Sequence, residues 1–299
     1  MLEPTRLGAA LYVPATSKHL LNIASGRRLA DIRTIIFCTE DSVSSEDMPL
    51  ALSNLNEALQ RFQSNPNRHR FIRVRNPAIL GKVLGMAGIE HLDGFVLPKV
   101  TATNIDAYLE QIDTTCHCVM PTLETREVFS EECMRELLGL IDQSERRKAI
   151  LSLRIGGNDL LSLLRIRRPR GLTIYQTPIG QVIARLATTF IPYGFVLTAP
   201  VFDYLDDPVA LGKEIQMDLS HGLVGKTAIH PLQVPQIESH YRVLSRDLDV
   251  AMRLLDPQSP SVFKMDHAMQ ERETNSCWAK AVVLTAQSYG CQSAKEKLT

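Results

Sequence analysis

Short apolar runs alternate with segments of helical periodicity along most of the chain. The runs are nearly continuous in their apolar character, which is typical of strands buried on both faces of a parallel sheet. They occupy residues 8–14, 33–38, 70–75, 93–99, 116–124, 149–157, 194–200 and 222–231. The pattern therefore predicts eight strands.

The segments between these runs carry apolar residues at helical spacing, as residues 46–62 and 124–142 show. Strand and helix alternating eight times predicts an α/β protein whose fold is a (β/α)8 TIM barrel. A doubly wound sheet is the alternative architecture, although no GxGxxG motif follows the first run.

The barrel pattern ends near residue 232, which predicts a catalytic domain over 1–232 and a helical extension over 233–299. We expect one long helical stretch over 234–255, a Pro/Ser linker over 256–261 and an amphipathic helix over 278–289. The last nine residues are expected to be frayed.

Composition excludes several classes of protein. Among the 299 residues, 33 Lys and Arg balance 33 Asp and Glu, so no nucleic-acid partner is indicated. No apolar stretch is long enough to span a bilayer, and no membrane partner is expected. The six cysteines lack zinc-type pairing, which favours buried free thiols in a reducing compartment. We expect a soluble, cytoplasmic protein.

Acidic and basic side chains follow the predicted strands, at the rim where TIM-barrel enzymes carry their catalytic residues. In chain order they are Glu40, Asp41, Arg73, Arg75, Lys99, Glu124, Asn158, Asp159, Lys226 and His230. This convergence predicts an active site at the C-terminal ends of the strands.

Glu124 and Asp159 follow neighbouring strands and together suit a hard cation. Mg²⁺ takes one or two protein carboxylates, several waters and substrate oxygens, and the absence of a His cluster near this pair disfavours zinc. The alternative is that these acids serve helix first turns or caps, as Asn158 also would.

Arg73 and Arg75 alternate and so face the same way, which suits binding of a carboxylate or a developing oxyanion. Alternatively, buried acids such as Asp41 fix this arginine. His230, before a proline, is more typical of a structural histidine than of a general base. Lys18 could meet a phosphate or remain solvated.

A series of motifs resembles, in order, the citrate lyase beta-subunit-like branch of the HpcH/HpaI aldolase superfamily, the C–C bond lyases of the TIM-barrel fold. The motifs are ALYVPAT, IIFCTEDSV, FIRVRNP, FVLPKV, VMPTLET, RIGGNDLL and GLVGKTAIHPLQV, the last resembling the family's GFxGKxAIHPxQI. Ala15 replaces a usual glycine, Thr39 replaces an apolar residue, and residues 167–180 differ, which indicates a divergent sub-branch.

The resemblance implies roles for the rim residues. Glu124 and Asp159 would bind Mg²⁺, and Arg73 would be the substrate arginine, with Arg75 a close rival. The pair Glu40 and Asp41 would orient this arginine and the metal waters. Lys18 falls near the basic residues that meet the phosphates of CoA in acyl-CoA relatives.

The resemblance also implies a role for the C-terminal extension. Relatives carry DGKMID there, whose last Asp enters a neighbouring subunit's active site; this chain reads DHAMQE over 266–271. Glu271 would then be the catalytic acid or base, with Asp266 as the alternative. A closed homo-oligomer, a trimer or a hexamer, would follow.

The implied activity is retro-aldol cleavage of a 3-hydroxyacyl-CoA thioester to acetyl-CoA and a 2-keto acid. Citramalyl-CoA, malyl-CoA and citryl-CoA all fit, and citramalyl-CoA is favoured. Glu271 would take the hydroxyl proton and Arg73 would stabilise the enolate oxygen. The alternatives are a metal-dependent aldolase acting on a hydroxy acid without CoA, and a non-catalytic barrel subunit.

Overall fold

The structure, a computed structural model, describes residues 2–62, 65 and 67–293 of the chain. The chain divides into two compact units between residues 234 and 235.

The first unit is a barrel of parallel strands, each followed by at least one helix. The strands are β1 (Ala9–Pro14), β2 (Thr34–Cys38), β3 (His69–Arg73), β4 (Gly94–Leu97), β5 (Cys118–Leu123), β6 (Leu153–Ile155), β7 (Leu197–Thr198) and β8 (Lys226–Ala228). The helices are α1 (Leu20–Ala24), α2 (Met48–Leu59), α3 (Pro77–Leu84), α4 (Ile105–Leu109), α5 (Glu131–Ile141), α6 (Ser144–Ala149), α7 (Gly157–Leu163), α8 (Ile179–Phe190), α9 (Pro208–Ser220) and α10 (Gln233–Ser239), the last crossing the division between the units.

Each strand pairs with its neighbours along the chain, in the order β7-β6-β5-β4-β3-β2-β1-β8. An isolated parallel bridge between Ala199 and Lys226 joins the two ends of this order. The predicted (β/α)8 barrel is confirmed, and each of the eight predicted runs overlaps an observed strand. The predicted helix over 124–142 is shorter, because Ser130 accepts a hydrogen bond from the backbone N–H of Cys133 and starts α5 there.

The interior of the barrel is apolar on one side and polar on the other. Neighbouring strands place Ala10, Ile36, Phe71, Val96 and Met120 in one buried cluster. Further along β5, and on β6, β7 and β8, the inward positions hold Thr122, Arg154, Thr198 and Thr227, since parallel register pairs Thr122 with Arg154 and Arg154 with Thr198. A TIM barrel usually fills its interior with apolar layers, so the polar side is unusual.

Lys226 lies away from the rim where the sequence placed it. Its ammonium is fully buried against Glu214 Oε1 at 2.9 Å and Asp218 Oδ2 at 2.8 Å, both on α9. The pKa of Lys226 is raised because these two carboxylates outweigh its burial. Lys226 therefore ties β8 to α9 and is a structural residue.

The second unit differs from its prediction in three places. It contains β9 (Val243–Leu244), α11 (Ser245–Leu255), β10 (Val262–Met265), β11 (Ala268–Glu271), α12 (Arg272–Tyr289) and β12 (Cys291–Gln292). The helical stretch over 234–255 is interrupted by β9, and the last helix begins at Arg272. The tail starts as a strand paired with β9, while residues 294–299 lie outside the described part.

A hairpin joins β10 to β11 in the segment that contains both candidate acids, Asp266 and Glu271. Asp266 and His267 form its turn with left-handed φ values of 49° and 60°, the conformation that two-residue hairpin turns require. Between α11 and α12, Leu254, Phe263 and Ala279 pack in a small core.

The cysteines are only partly as predicted. All six are free, but only Cys38 is buried, and Cys116 and Cys277 are exposed. Cys116 also precedes β5, so it does not share a strand with Cys118. In the described part of the chain, none of the helices combines the length and apolar character needed to cross a membrane.

Substitution of Gly94 tests how tightly β4 packs against β5 in the barrel wall. A Cβ at this position would lie 1.9 Å from the carbonyl oxygen of Cys118 on β5, so Gly94→Ala must push β4 from β5. We expect a loss of about 3 kcal/mol or more in the free energy of unfolding, measured with urea.

Gly139→Ala is the matched control, because nothing lies within 4 Å of a Cβ there. Within α5 this change should raise stability by about 0.5–1 kcal/mol. Equal stability of the two variants would contradict the packing described for Gly94.

Candidate active site

A buried arginine joins three carboxylates at the C-terminal ends of the strands. Arg73, the last residue of β3, directs Nη2 at Glu40 Oε2 (2.8 Å), Asp41 Oδ2 (3.1 Å) and Glu124 Oε1 (3.0 Å). Glu40 and Asp41 lie two and three residues after the end of β2, and Glu124 directly follows β5. One guanidinium therefore connects three strand ends, as the sequence predicted for the rim.

Lys99 adds a second cation to this cluster. Its backbone N–H donates to Glu124 Oε1 at 2.9 Å, which its left-handed φ of 51° permits. Its Nζ contacts Glu40 directly and lies 3.4 Å from Asp41 Oδ1 and 3.9 Å from Asp159 Oδ1. The sequence placed Lys99 on the rim without a role. Its contact with Glu124 depends on a left-handed backbone conformation that is unusual for lysine. The order of residue types along the chain does not reveal such a conformation.

Gly156 brings Asp159 close to Glu124. A Cβ on Gly156 would lie 2.2 Å from Glu124 Oε2, so only glycine lets the end of β6 approach this carboxylate. Gly156 is the N-cap of α7, and Asp159 lies in the first turn of that helix. Close packing therefore explains both glycines before Asp159: Gly156 lies against Glu124, and a Cβ on Gly157 would lie 2.8 Å from Ile174 and Pro200.

Burial and crowding raise the pKa values of both candidate metal ligands. Burial, with the negative charges of Asp159 and Glu40, raises the pKa of Glu124 to about 7 despite the opposing charge of Arg73. Burial and the charge of Asp41 likewise raise the pKa of Asp159. The nearby positive charges therefore do not fully compensate the ionised form of either carboxylate.

The pKa values of the other four members of the cluster are also shifted by their surroundings. Burial raises the pKa of Glu40, while the pKa of Asp41 is lowered because hydrogen bonding and the nearby cations outweigh its burial. The pKa values of Arg73 and Lys99 are raised, since the surrounding carboxylates outweigh burial. Both cations therefore remain charged at any physiological pH.

Glu124 and Asp159 form a donor set that fits Mg²⁺. Both lie beside Lys99, whose backbone N–H donates to Glu124 Oε1 at 2.9 Å and whose Nζ lies 3.9 Å from Asp159 Oδ1. In residues 2–62, 65 and 67–293, no group of three or more His, Cys, Asp and Glu side chains is arranged to hold a metal. Two carboxylates without further protein ligands match Mg²⁺, which keeps waters and substrate oxygens in its remaining positions, better than zinc.

Arg75 contacts the loop after β2. Its guanidinium donates to the carbonyl oxygens of Thr39 (3.3 Å), Glu40 (3.2 Å) and Val43 and to Ser45 Oγ (2.8 Å). Arg75 therefore positions the loop that carries Glu40 and Asp41. Its substrate-binding role stays a prediction.

Asn158 does not cap α7, because Gly156 occupies the N-cap position. Its Nδ2 donates instead to Asp203 Oδ1 at 2.7 Å, and Asp203 Oδ2 accepts from Arg168 Nε at 3.1 Å. The side chain of Arg168 is buried and also pairs with Glu214. The segment 167–180, which diverges from the family pattern, thus supplies an arginine that holds the turn carrying Asp159.

Lys18 and His230 lie at the same end of the barrel without contacting the carboxylate cluster. Lys18 is exposed in the loop after β1. Desolvation and the charges of Arg28 and Lys18 lower the pKa of the neighbouring His19. His230 Nδ1 accepts from the backbone N–H of Leu232 at 3.2 Å, as expected of a structural histidine.

The two candidate acids of the C-terminal extension are exposed within their own unit. Glu271 ends β11 and precedes α12, and its Oε2 accepts from Thr274 Oγ1 at 3.2 Å. Asp266 lies in the hairpin turn, 3.9 Å from Arg246. Their catalytic roles stay predictions.

Arg154 is the polar residue of the barrel interior that sequence reasoning missed. It is 2% exposed and donates through Nη2 to Thr227 Oγ1. Its guanidinium and that of Arg73 lie 5.5 Å and 5.9 Å from the ring centroid of Tyr12. A charge inside an otherwise apolar predicted strand was the available signal.

Comparison with known proteins agrees with this geometry. Residues 1–291 match the family described as C–C bond lyase of the TIM-barrel fold. The chain belongs to this family. The resemblance carried by the motifs is thereby confirmed, and the protein is a carbon–carbon bond lyase.

A curated relative and two solved structures illustrate the family. The (3S)-malyl-CoA thioesterase of Cereibacter sphaeroides (strain ATCC 17025 / ATH 2.4.3) is 26% identical over 253 residues, which cover 82% of this chain and 80% of the relative. The CitE protein of Mycobacterium tuberculosis, solved with magnesium, acetoacetate and coenzyme A, has a TM-score of 0.70 and 20% identity over 94% of this chain and 99% of its own. A citrate lyase of Burkholderia xenovorans LB400 has a TM-score of 0.73 and 16% identity over 98% and 97% of the two chains. These two likenesses show a shared fold.

The raised pKa of Glu124 predicts a pH dependence of stability in metal-free protein. Between its usual value of 4.5 and about 7 the folded state binds a proton that the unfolded state has released. The contribution of Glu124 to stability is therefore present below pH 4.5 and is lost as the pH rises through 7. We expect a loss on the order of 1–3 kcal/mol, measured by urea unfolding in EDTA.

Glu124→Gln should flatten this slope, because its amide does not titrate. Glu131→Gln, an exposed position on α5, should keep the wild-type slope. Parallel curves for wild type and Glu124→Gln would contradict the assignment.

Proposed function

We propose that the protein is a Mg²⁺-dependent lyase that cleaves a 3-hydroxyacyl-CoA thioester into acetyl-CoA and a 2-keto acid. The substrate class comprises citramalyl-CoA, malyl-CoA and citryl-CoA. The observation that carries the proposal is the pair Glu124 and Asp159 beside a buried arginine at the C-terminal mouth of the barrel. The magnesium, coenzyme A and acetoacetate of the CitE structure and the malyl-CoA substrate of the curated relative support it.

Glu124 and Asp159 would hold the metal. When bound, Mg²⁺ supplies Lewis acidity that lowers the pKa of the substrate hydroxyl. The cluster around it has the charge to receive a divalent cation. Glu40, Asp41, Glu124 and Asp159 bring four carboxylates, while Arg73 and Lys99 bring two cations.

Arg73 would stabilise the enolate oxygen that develops as the C–C bond breaks. Three carboxylates hold its Nη2, and its Nε is buried without a hydrogen-bond partner in the described part of the chain. A cation fixed before the reaction stabilises developing charge without reorganisation. Asp41 and Glu40 keep this arginine in place.

Glu271 of an adjacent subunit would take the hydroxyl proton, with Asp266 as the alternative. This requires a homo-oligomer, a trimer or a hexamer, in which the C-terminal extension completes a neighbour's site. Lys18 would meet the phosphates of CoA, and Arg28, beyond α1, adds a second positive charge near His19.

Single substitutions in the metal pair test the chemistry. We expect Glu124→Gln and Asp159→Asn each to lower kcat at least about 100-fold, because each removes one of two protein ligands. The measurement is Mg²⁺-dependent release of 2-keto acid from citramalyl-CoA, malyl-CoA and citryl-CoA.

Asp206→Asn is the matched control. Asp206 pairs with Arg170 on the surface and is exposed. Cleavage of a free hydroxy acid in place of all three thioesters would instead support an aldolase that does not use CoA. Full activity in both metal-pair variants would refute the lyase.

Complementation tests the proposed contribution of the C-terminal extension. Glu271→Gln and Asp159→Asn should each be inactive alone, because each lacks one part of a shared site. Mixed during refolding at equal amounts, they should regain about a quarter of the wild-type activity, since random assembly pairs intact halves in one site of four. Absence of recovery in mixed oligomers shown by mass spectrometry would place Glu271 outside a neighbour's site.

A further inference from the structure

Arg154 is a buried cation inside the barrel. It lies on β6 between Thr122 of β5 and Thr198 of β7 in the parallel register, so these three side chains share one face. Its Nη2 donates to Thr227 Oγ1 of β8 at 2.5 Å. A contact that passes over β7 to β8 must run through the interior. The guanidinium therefore lies within the polar side of the barrel.

The charge of Arg154 is met by the ring of Tyr12 and the hydroxyl of Thr227 but not by an opposite charge. In the described part of the chain, no carboxylate lies within ion-pair distance of it, and its Nη1 is buried without a hydrogen-bond partner. Arg73, in contrast, meets three carboxylates. An unpaired buried guanidinium is strongly unfavourable, so a purely structural role does not account for its placement.

The hydroxyl groups beside Arg154 are also unsatisfied. Thr122 Oγ1 and Thr198 Oγ1 are both buried without hydrogen-bond partners. A hydroxyl and a guanidinium can all donate to one anionic group, and an anion would satisfy the three side chains together. An apolar ligand group would leave them unpaired.

This polar region lies one layer beneath the candidate metal pair. Glu124 follows Thr122 by two residues and Gly156 follows Arg154 by two, which places the layers about 6–7 Å apart along the strands. The ring of Tyr12 lies near both Arg73 and Arg154. Tyr12 and Thr227, the two residues that contact this guanidinium, are partly exposed.

We propose that Arg154 binds a second carboxylate of the substrate, with Thr122 and Thr198 as further donors. The keto-acid portion would then be a dicarboxylate such as oxaloacetate, and the substrate would be of the citryl-CoA type, in contrast to citramalyl-CoA or malyl-CoA. The inference rests on the proposed function, because one carboxylate must bind at the metal while the other reaches the layer below.

The test compares two keto acids that differ only in the terminal group. Oxaloacetate ends in a carboxylate, and 2-ketobutyrate ends in a methyl group. With Mg²⁺ present, calorimetry on the wild type should show oxaloacetate binding on the order of 10-fold or more tightly, as expected for a charged hydrogen bond. Arg154→Met should abolish this preference, and Arg154→Lys should keep part of it. Arg135→Met, exposed on α5, should keep it in full.

Thermal unfolding separates binding from a structural role. Without ligand, Arg154→Met should melt at the wild-type temperature or above, because it removes an uncompensated buried charge. A lower melting temperature with an unchanged preference for oxaloacetate would overturn the inference. Should Arg154→Met not fold, equal preference in Arg154→Lys and the wild type would overturn it as well.

If the proposed function is wrong, the binding measurements give a different result. In that case the wild type would bind neither keto acid in the presence of Mg²⁺, and Glu124→Gln would behave as the wild type does. Metal-dependent binding of both keto acids with equal affinity would leave the lyase intact and overturn only the role of Arg154.

Discussion

The contact between Arg73 and three carboxylates is the interaction on which the candidate active site depends. It joins the ends of β2, β3 and β5 through one nitrogen. Removing such a cation from a buried site leaves like charges in contact, which is far more unfavourable than losing an exposed pair. The same crowding keeps the pKa of Glu124 high. A divalent cation bound at Glu124 would reduce the repulsion between these crowded carboxylates.

The backbone geometry around this contact is as important as the charges. Gly156 permits the end of β6 to approach Glu124, and Lys99 adopts a left-handed conformation that turns its N–H toward the same carboxylate. Glu124 is therefore fixed from β3, β4 and β6 at once. Positioning by rigid elements of this kind is what a reacting group needs to keep its geometry during turnover.

The sequence predicted the barrel and most of the rim because both follow from local patterns. Buried parallel strands are apolar runs, and the residue after each run must lie at the same end of the barrel. The partners of Lys99, Arg75 and Asn158 could not be predicted in this way, since they depend on loop conformations and on residues far apart in the chain. Lys226 was predicted at the rim but forms a buried ion pair, because it is the first residue of β8 and its side chain faces α9. The hairpin over 262–271 was missed because its turn uses Asp and His in the left-handed region, where Asn and Gly are the usual signal.

The two buried arginines of the barrel, Arg73 and Arg154, differ in the charges that surround them. Among the residues that the structure describes, three carboxylates pair with Arg73 and none pairs with Arg154. A protein selected for stability alone would place an apolar residue at that position, as most barrel layers do. Buried charges without a protein partner occur mainly at functional sites, where a bound ligand compensates them. In the two proposals, Glu124 and Asp159 at the mouth of the barrel would bind a metal, and Arg154 in the layer below would bind an anion. A substrate with a chelating hydroxy or keto carboxylate at one end and a second carboxylate at the other satisfies both.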